Sequence, residues 1–268
     1  MSERIEVGDV TLSYEDGGGE EPAVLFVHGL GGSAYTWRAQ LAAFGAAGHR
    51  AVAYDQRGAG RSSKPAGPYS VEQWAADLEG VLDALGIERA ALVGHSVGCM
   101  VAEHGALRLG GRCRGLALLG GALRWRPEAA PVFEERVRLA RTGHMEEIAE
   151  TVATTGLSER CRAERPELHG LFCEAIASND PVAYAECSAA TARAEMIEPE
   201  RIACPTLALC GELDPVTPPA FAEAIAAAVP AGETGVIAGA AHWCQLEAPE
   251  AVSGALLAWL GTTTASQH

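Results

Sequence analysis

The chain has 268 residues, 48% hydrophobic and 21% charged, with 20 Lys+Arg against 35 Asp+Glu and a formal net charge of −15. That length accommodates one or two domains with an ample core, and the acidic balance disfavours nucleic-acid backbones and anionic membrane surfaces as partners. Lys64 is the single lysine, which leaves little room for lysine-based covalent chemistry.

In chain order, short apolar or β-branched runs at 10–14, 23–27 and 51–54 read as strands. Val71, Trp74, Leu78, Val81, Leu82 and Leu85 then fall at helical spacing and form one apolar stripe. Runs at 90–93 and 115–119 follow, then runs at 206–210 and 234–238, then a helix over 249–260 and a small, polar tail at 261–268 expected to fray. This alternation predicts a mostly parallel sheet covered on both faces. It is interrupted between 122 and 196, where the pattern is helical throughout and Asp180-Pro181 reads as an N-cap with proline at the first helical position. The expected organisation is a sheet domain of 1–121 and 197–268 carrying a helical lid of 122–196. No apolar stretch approaches the roughly 20 residues that span a bilayer, and the first residues lack a basic and then apolar leader, so a cytoplasmic protein is expected. Eight cysteines without a C-x-x-C spacing read mostly as buried thiols.

Gly94-His95-Ser96-Val97-Gly98 directly follows the 90–93 strand and opens a helical run. G-x-S-x-G between strand and helix is a nucleophile elbow, in which a strained turn projects the serine hydroxyl and the flanking glycines avoid collisions. A serine needs a neighbouring base. Of the eight histidines, His242 is the candidate, because it lies on the loop between the last strand and the last helix. That imidazole needs an acid to set its tautomer. Asp214 lies just past the 206–210 strand, where site groups of open α/β sheets gather, and Glu212 is the runner-up. The backbone N–H of Val97, after the nucleophile, and that of Leu30, in the glycine-rich loop 28–33, are the expected oxyanion donors. Trp37, Trp125 and Trp243 are candidate substrate contacts. Arg124 and Arg126 are candidates for a substrate carboxylate, and eight arginines between 124 and 165 keep an acidic small molecule possible. Cys99 and Cys244 read as packing residues near the site.

His28-Gly29, the segment 55–62, the elbow, Gly211 to Asp214, and His242 together resemble an α/β hydrolase with a helical cap, over nearly the whole chain. The order serine, aspartate, histidine agrees with that family. The resemblance implies eight strands, a cap inserted after the sixth, and a structural rather than catalytic role for the turn at Asp55. Segments 178–184, 205–207, 214–219 and 247–249 are similar to 3-oxoadipate enol-lactonases and related ester or lactone hydrolases. The expected activity is therefore hydrolysis of a carboxylic ester or lactone of a small molecule through an acyl-enzyme. It requires no cofactor, and the reading assigns no metal ligand. Hydrolysis of C–C bonds or cofactor-free perhydrolysis on the same three residues is the alternative within enzymes, and a slow-turnover ligand receptor is the alternative outside them. The oligomeric state is left open.

Overall fold

A computed structural model describes residues 2–123 and 129–265. The chain opens on β1 (Glu3–Val7), β2 (Val10–Asp16), β3 (Glu20–Val27), α1 (Arg38–Ala46) and β4 (His49–Tyr54). It continues through α2 (Val71–Ala84), β5 (Ala90–His95), α3 (Val97–Leu109) and β6 (Cys113–Leu119). The helices α4 (Ala129–Arg141), α5 (Met145–Gly156), α6 (Glu159–Glu164), α7 (Pro166–Ala177) and α8 (Pro181–Arg193) come next. The order ends with β7 (Thr206–Gly211), α9 (Pro219–Ala228), β8 (Gly232–Ile237), α10 (Cys244–Glu247) and α11 (Pro249–Ala265). The eight strands form one sheet in the order β1-β2-β4-β3-β5-β6-β7-β8. Pairing is antiparallel between β1 and β2 and between β2 and β4, and parallel from β4 to β8.

Strand alternation divides the core between the two faces of the sheet. Leu25 and Val27 of β3 join Leu92, Leu116 and Leu118 beneath Trp74, Leu78 and Leu82 of α2. Val24 and Phe26 point the other way, joining Val93, Leu119 and Leu209 beneath Phe44 of α1 and Leu256 and Trp259 of α11. Each such side chain taken fully out of water contributes about 1.5–3 kcal/mol. The α2 stripe runs as its spacing predicts, with Ser70 accepting a capping hydrogen bond from the Gln73 N–H. Asp180 likewise caps α8 through the Ala183 N–H, with Pro181 in the first turn.

Two elements differ from the sequence expectation. Strand β1 lies outside the predicted runs, because an exposed edge strand with Val7 as its one buried residue carries almost no hydrophobic signal. Helix α11 does not end at 260 but continues to Ala265. Leu256, Trp259 and Leu260 anchor its last turns in the core, and the Thr262 hydroxyl donates to the Trp259 carbonyl.

Between β6 and β7 the described residues form helices and no strand. Helix α4 packs on α8 and α5 on α7. Ile148, Val152, Phe172, Ile176 and Tyr184 give this helical insert an apolar cluster of its own, which Trp243 enters from the loop after β8 and Leu30 borders. Among the described residues no helix is long and apolar enough to cross a membrane.

Candidate active site

The parallel strands β3, β5, β7 and β8 end on the same side of the sheet, and the loops leaving them carry Leu30, Ser96, Asp214 and His242. Ser96 follows the last residue of β5 and precedes α3 with φ 53° and ψ −118°, and among the described residues it is the one non-glycine residue with positive φ. Such a conformation costs about 1–3 kcal/mol and persists only where the surrounding structure imposes it. Here β5 is buried along its whole length and α3 must turn back onto the sheet at once. A Cβ at position 94 would strike the Gly98 carbonyl, and one at 98 would strike the carbonyls of Val27 and His28. Serine in an N-cap position usually accepts a hydrogen bond from its own helix, yet the Ser96 side chain makes no such cap and is left for other chemistry.

His242 and Asp214 meet across β7 and β8. Nδ1 of His242 lies 2.8 Å from Oδ2 of Asp214, and both residues are buried. Oδ1 of Asp214 accepts from the backbone N–H of Val216 and Thr217 at 2.8 and 2.9 Å, and the Thr217 hydroxyl donates to Oδ2 at 2.8 Å. Burial pushes the Asp214 carboxyl up, but the imidazole and the Thr217 donors outweigh it and hold the group below its ordinary value. An ionised Asp214 accepts a hydrogen bond from the Nδ1–H of His242, which leaves Nε2 as the acceptor. Glu212 does something else: its carboxylate accepts from the Gly239 N–H at 2.8 Å and so ties down the loop that leads to His242.

His95, the variable position of the elbow motif, is a participant that the sequence did not single out. Its Nε2 donates to the His242 carbonyl at 2.9 Å, and its ring lies 5.0 Å from that of His242 and 4.4 Å from that of Trp243. Burial, reinforced by the neighbouring His242, pushes its pKa down to about 3, so it stays neutral and does not compete for protons. Thr217 was also missed, although a threonine three residues after an aspartate in a Pro-containing turn is a recognisable side-chain-to-backbone motif.

Ser96, Val97, Leu30, His242 and Trp243 line one cavity of about 60 Å³, whose opposite wall is Phe133 and Arg136 of α4 and Val152 and Thr155 of α5. Val97 is the first residue of α3, so its N–H is among those a helix leaves without an intrahelical acceptor. Trp243 is in the wall, its ring tilted against that of His95 and edge-on to that of Phe172. Trp37 is not: it is fully buried in the core, because the turn carrying it packs its ring on Phe26 of the central strand β3 rather than towards the cavity. Arg124, Trp125 and Arg126 lie outside the described residues. Arg136 is the described cation in the wall, and it pairs with no carboxylate among the described residues. Its position three residues after Phe133, on one face of an amphipathic helix, is the signal that could have marked it. Cys99 donates to the Gly94 and Leu119 carbonyls beneath the elbow, and burial raises its thiol well above the ordinary range. Asp55 is occupied by the N–H groups of Ala34 and Arg61, at 2.7 Å each, in the turn after β4.

A family model described as the alpha/beta hydrolase fold matches residues 22–249. The chain belongs to the α/β-hydrolase fold family. This α/β hydrolase is 31% identical over 212 residues to 3-oxoadipate enol-lactonase 2 of Acinetobacter baylyi, covering 78% of each chain. It is 30% identical over 242 residues to a protein of Escherichia coli whose name describes a carbamate hydrolase, RutD, covering 89% of this chain and 88% of that one. Among solved structures, the enol-lactonase from Burkholderia xenovorans superposes with a TM-score of 0.90 at 28% identity, over 97% of this chain and 100% of the other. A thermophilic esterase from Thermogutta terrifontis gives the same TM-score at 29% identity, over 98% and 99%. As an α/β hydrolase with lactonase relatives, the chain is a hydrolase.

Proposed function

We propose that this α/β hydrolase cleaves a carboxylic ester or lactone through a covalent acyl-enzyme, with Ser96 as nucleophile, His242 as proton carrier and Asp214 as the group that orients it. Ser96 Oγ attacks the carbonyl carbon and passes its proton to His242 Nε2, while the carbonyl π electrons move onto oxygen. The backbone N–H groups of Leu30 and Val97 receive that oxyanion. When the carbonyl re-forms, the C–O bond to the alkoxide breaks and the alkoxide takes the proton from His242. In a lactone the leaving oxygen stays tethered to the acyl chain. Water, deprotonated by His242, then attacks the acyl-enzyme and returns Ser96 with release of the acid. The helical insert serves as the lid over this cavity, within the division 1–121 and 197–268 against 122–196.

One observation carries the reading: Ser96, in its strained left-handed turn, shares a cavity with a His242 whose far nitrogen is 2.8 Å from a buried carboxylate. A lactone is favoured within the ester class by the enol-lactonase relatives. Arg136 in an otherwise mostly apolar wall favours a substrate whose second end is a carboxylate.

The test is a hydrolysis panel of aryl esters and lactones, each with and without a distal carboxylate, run beside Ser96→Ala. The expected result with the aryl esters is a burst of one equivalent of phenol in the native enzyme. In Ser96→Ala, kcat should fall by roughly 10⁶, as when a nucleophile of such a unit is lost. Retention of near-native turnover by Ser96→Ala overturns the assignment.

A further inference from the structure

Within the helical insert, Glu150 of α5 faces His169 and Cys173 of α7. His169 and Cys173 are four residues apart, one helical turn, so their side chains lie on one face. The Cys173 sulfur is 3.8 Å from His169 Nε2 and 3.8 Å from Glu150 Oε2, and His169 Nε2 is 3.9 Å from Glu150 Oε1. The two short contacts of Glu150 are made by its two different oxygens, and one donor atom from each of the three residues lies within 4.8 Å of the others.

Bond lengths of about 2.3 Å to sulfur and about 2.0–2.2 Å to nitrogen and oxygen give tetrahedral zinc a ligand–ligand edge of about 3.3–3.6 Å. Holding the ion would draw these donor atoms together from separations of at most 4.8 Å, a change that rotation of the largely exposed Glu150 side chain can supply. Thiolate, imidazole and carboxylate together suit zinc better than magnesium or calcium, which prefer all-oxygen sets. Glu150 is largely exposed and His169 partly so, which opens a path for the ion and leaves room for water as fourth ligand.

We infer that Glu150, His169 and Cys173 form a zinc site that clamps α5 to α7. On binding, the Cys173 S–H bond is replaced by an S–Zn bond and the proton is released to solvent; no electrons are transferred. The consequence is mechanical, because α5 supplies Val152 and Thr155 to the cavity wall and α7 is its packing partner. The sequence assigned no metal ligand, since an i, i+4 His/Cys pair is common in helices and the third donor comes from another helix. This inference is independent of which bond the enzyme hydrolyses.

The test uses the full chain freed of metal with a chelator and titrated with cobalt(II) as the spectroscopic probe. One cobalt per chain should produce a sulfur-to-cobalt charge-transfer band and tetrahedral d–d bands, both abolished by one equivalent of zinc. Cys173→Ser should lose the charge-transfer band, and His169→Ala and Glu150→Gln should each weaken cobalt binding by roughly 100-fold or more, beyond what loss of an outer-shell partner does. Zinc should raise the Tm of the native chain and leave that of Cys173→Ser unchanged. These residues are at the surface of the insert, and matching far-ultraviolet circular dichroism checks that each variant folds. No charge-transfer band in the native chain overturns the proposal, and so does a band that survives Cys173→Ser and therefore belongs to another cysteine.

Discussion

His95 Nε2 donates to the backbone carbonyl of His242 at 2.9 Å, so the residue before the serine holds the loop that carries the histidine. The two loops come from strands β5 and β8, which are separated in the sheet by β6 and β7. Their tips are tied directly across that gap, and this bond fixes the height of His242 relative to Ser96.

His95→Phe keeps the ring volume and removes this donor. A neutral hydrogen bond contributes about 0.5–1.5 kcal/mol net, so kcat on the best ester should fall roughly 3- to 10-fold. KM should hold, because His95 acts through His242 and does not line the cavity. Steady-state kinetics on a chromogenic ester separate the two parameters, and a change in KM alone would refute this positioning role.

Arg136→Gln should raise KM for substrates ending in a carboxylate by about 10- to 100-fold, the worth of a hydrogen bond to a charged group. Neutral esters of the same length should be unaffected. An equal change for both substrate types would mean that Arg136 shapes the wall and does not read charge.

Thr217→Val removes a donor to Asp214 while keeping the side chain's volume. The Asp214 carboxyl, held below its ordinary value in the native state, contributes stability that is complete above the unfolded value of about 4 and lost as pH falls through the native one. Loss of the hydroxyl raises the native value. Acid unfolding of Thr217→Val should therefore begin at higher pH than in the native chain, with kcat reduced roughly 3- to 10-fold at neutral pH. Thr217→Ser, which restores the hydroxyl, should recover both, as measured by Tm against pH and by initial rates.

Burial pushes the Glu103 carboxyl of α3 up to about 8. The folded chain binds that proton more tightly than the unfolded chain, so the stability is complete below the ordinary glutamate value and lost as pH rises through about 8. Glu103→Gln removes the titration. Between about pH 5 and pH 9 the Tm of the native chain should fall while that of the variant stays level, a difference on the order of a few kcal/mol at the alkaline end. Parallel curves for the two proteins would contradict it.

Hydrophobic period and turn chemistry made the central strands, α2 and the cap of α8 legible, because each depends on residues within a few positions of one another. Ser96 was legible for the same reason, since strand, glycines and helix are contiguous. Strand β1 was not, because an exposed edge is held by its hydrogen bonds to β2 and only weakly by its side chains. Trp37 illustrates the opposite error. Its place after a glycine-rich loop suggested the cavity, whereas the fold turns its ring into the core against Phe26. His95 depends on a contact across 147 positions of sequence, which no local pattern encodes; local sequence offers only the helix face of Arg136 and the Asp-to-Thr turn of Thr217, and their meeting with the cavity and with His242 is set by packing.

Local sequence specifies the alternation of strand and helix, the strandless interval, and a serine, an aspartate and a histidine at loop positions. These follow from local sterics and from the burial period of each element. Which groups meet is a matter of the folded chain: Asp214 and not Glu212 faces His242, His95 braces the histidine loop, and Arg136 of α4 shares the cavity wall with Ser96. Such meetings are set by how the strand ends align in the sheet and how the insert packs over them, which is a property of the whole core.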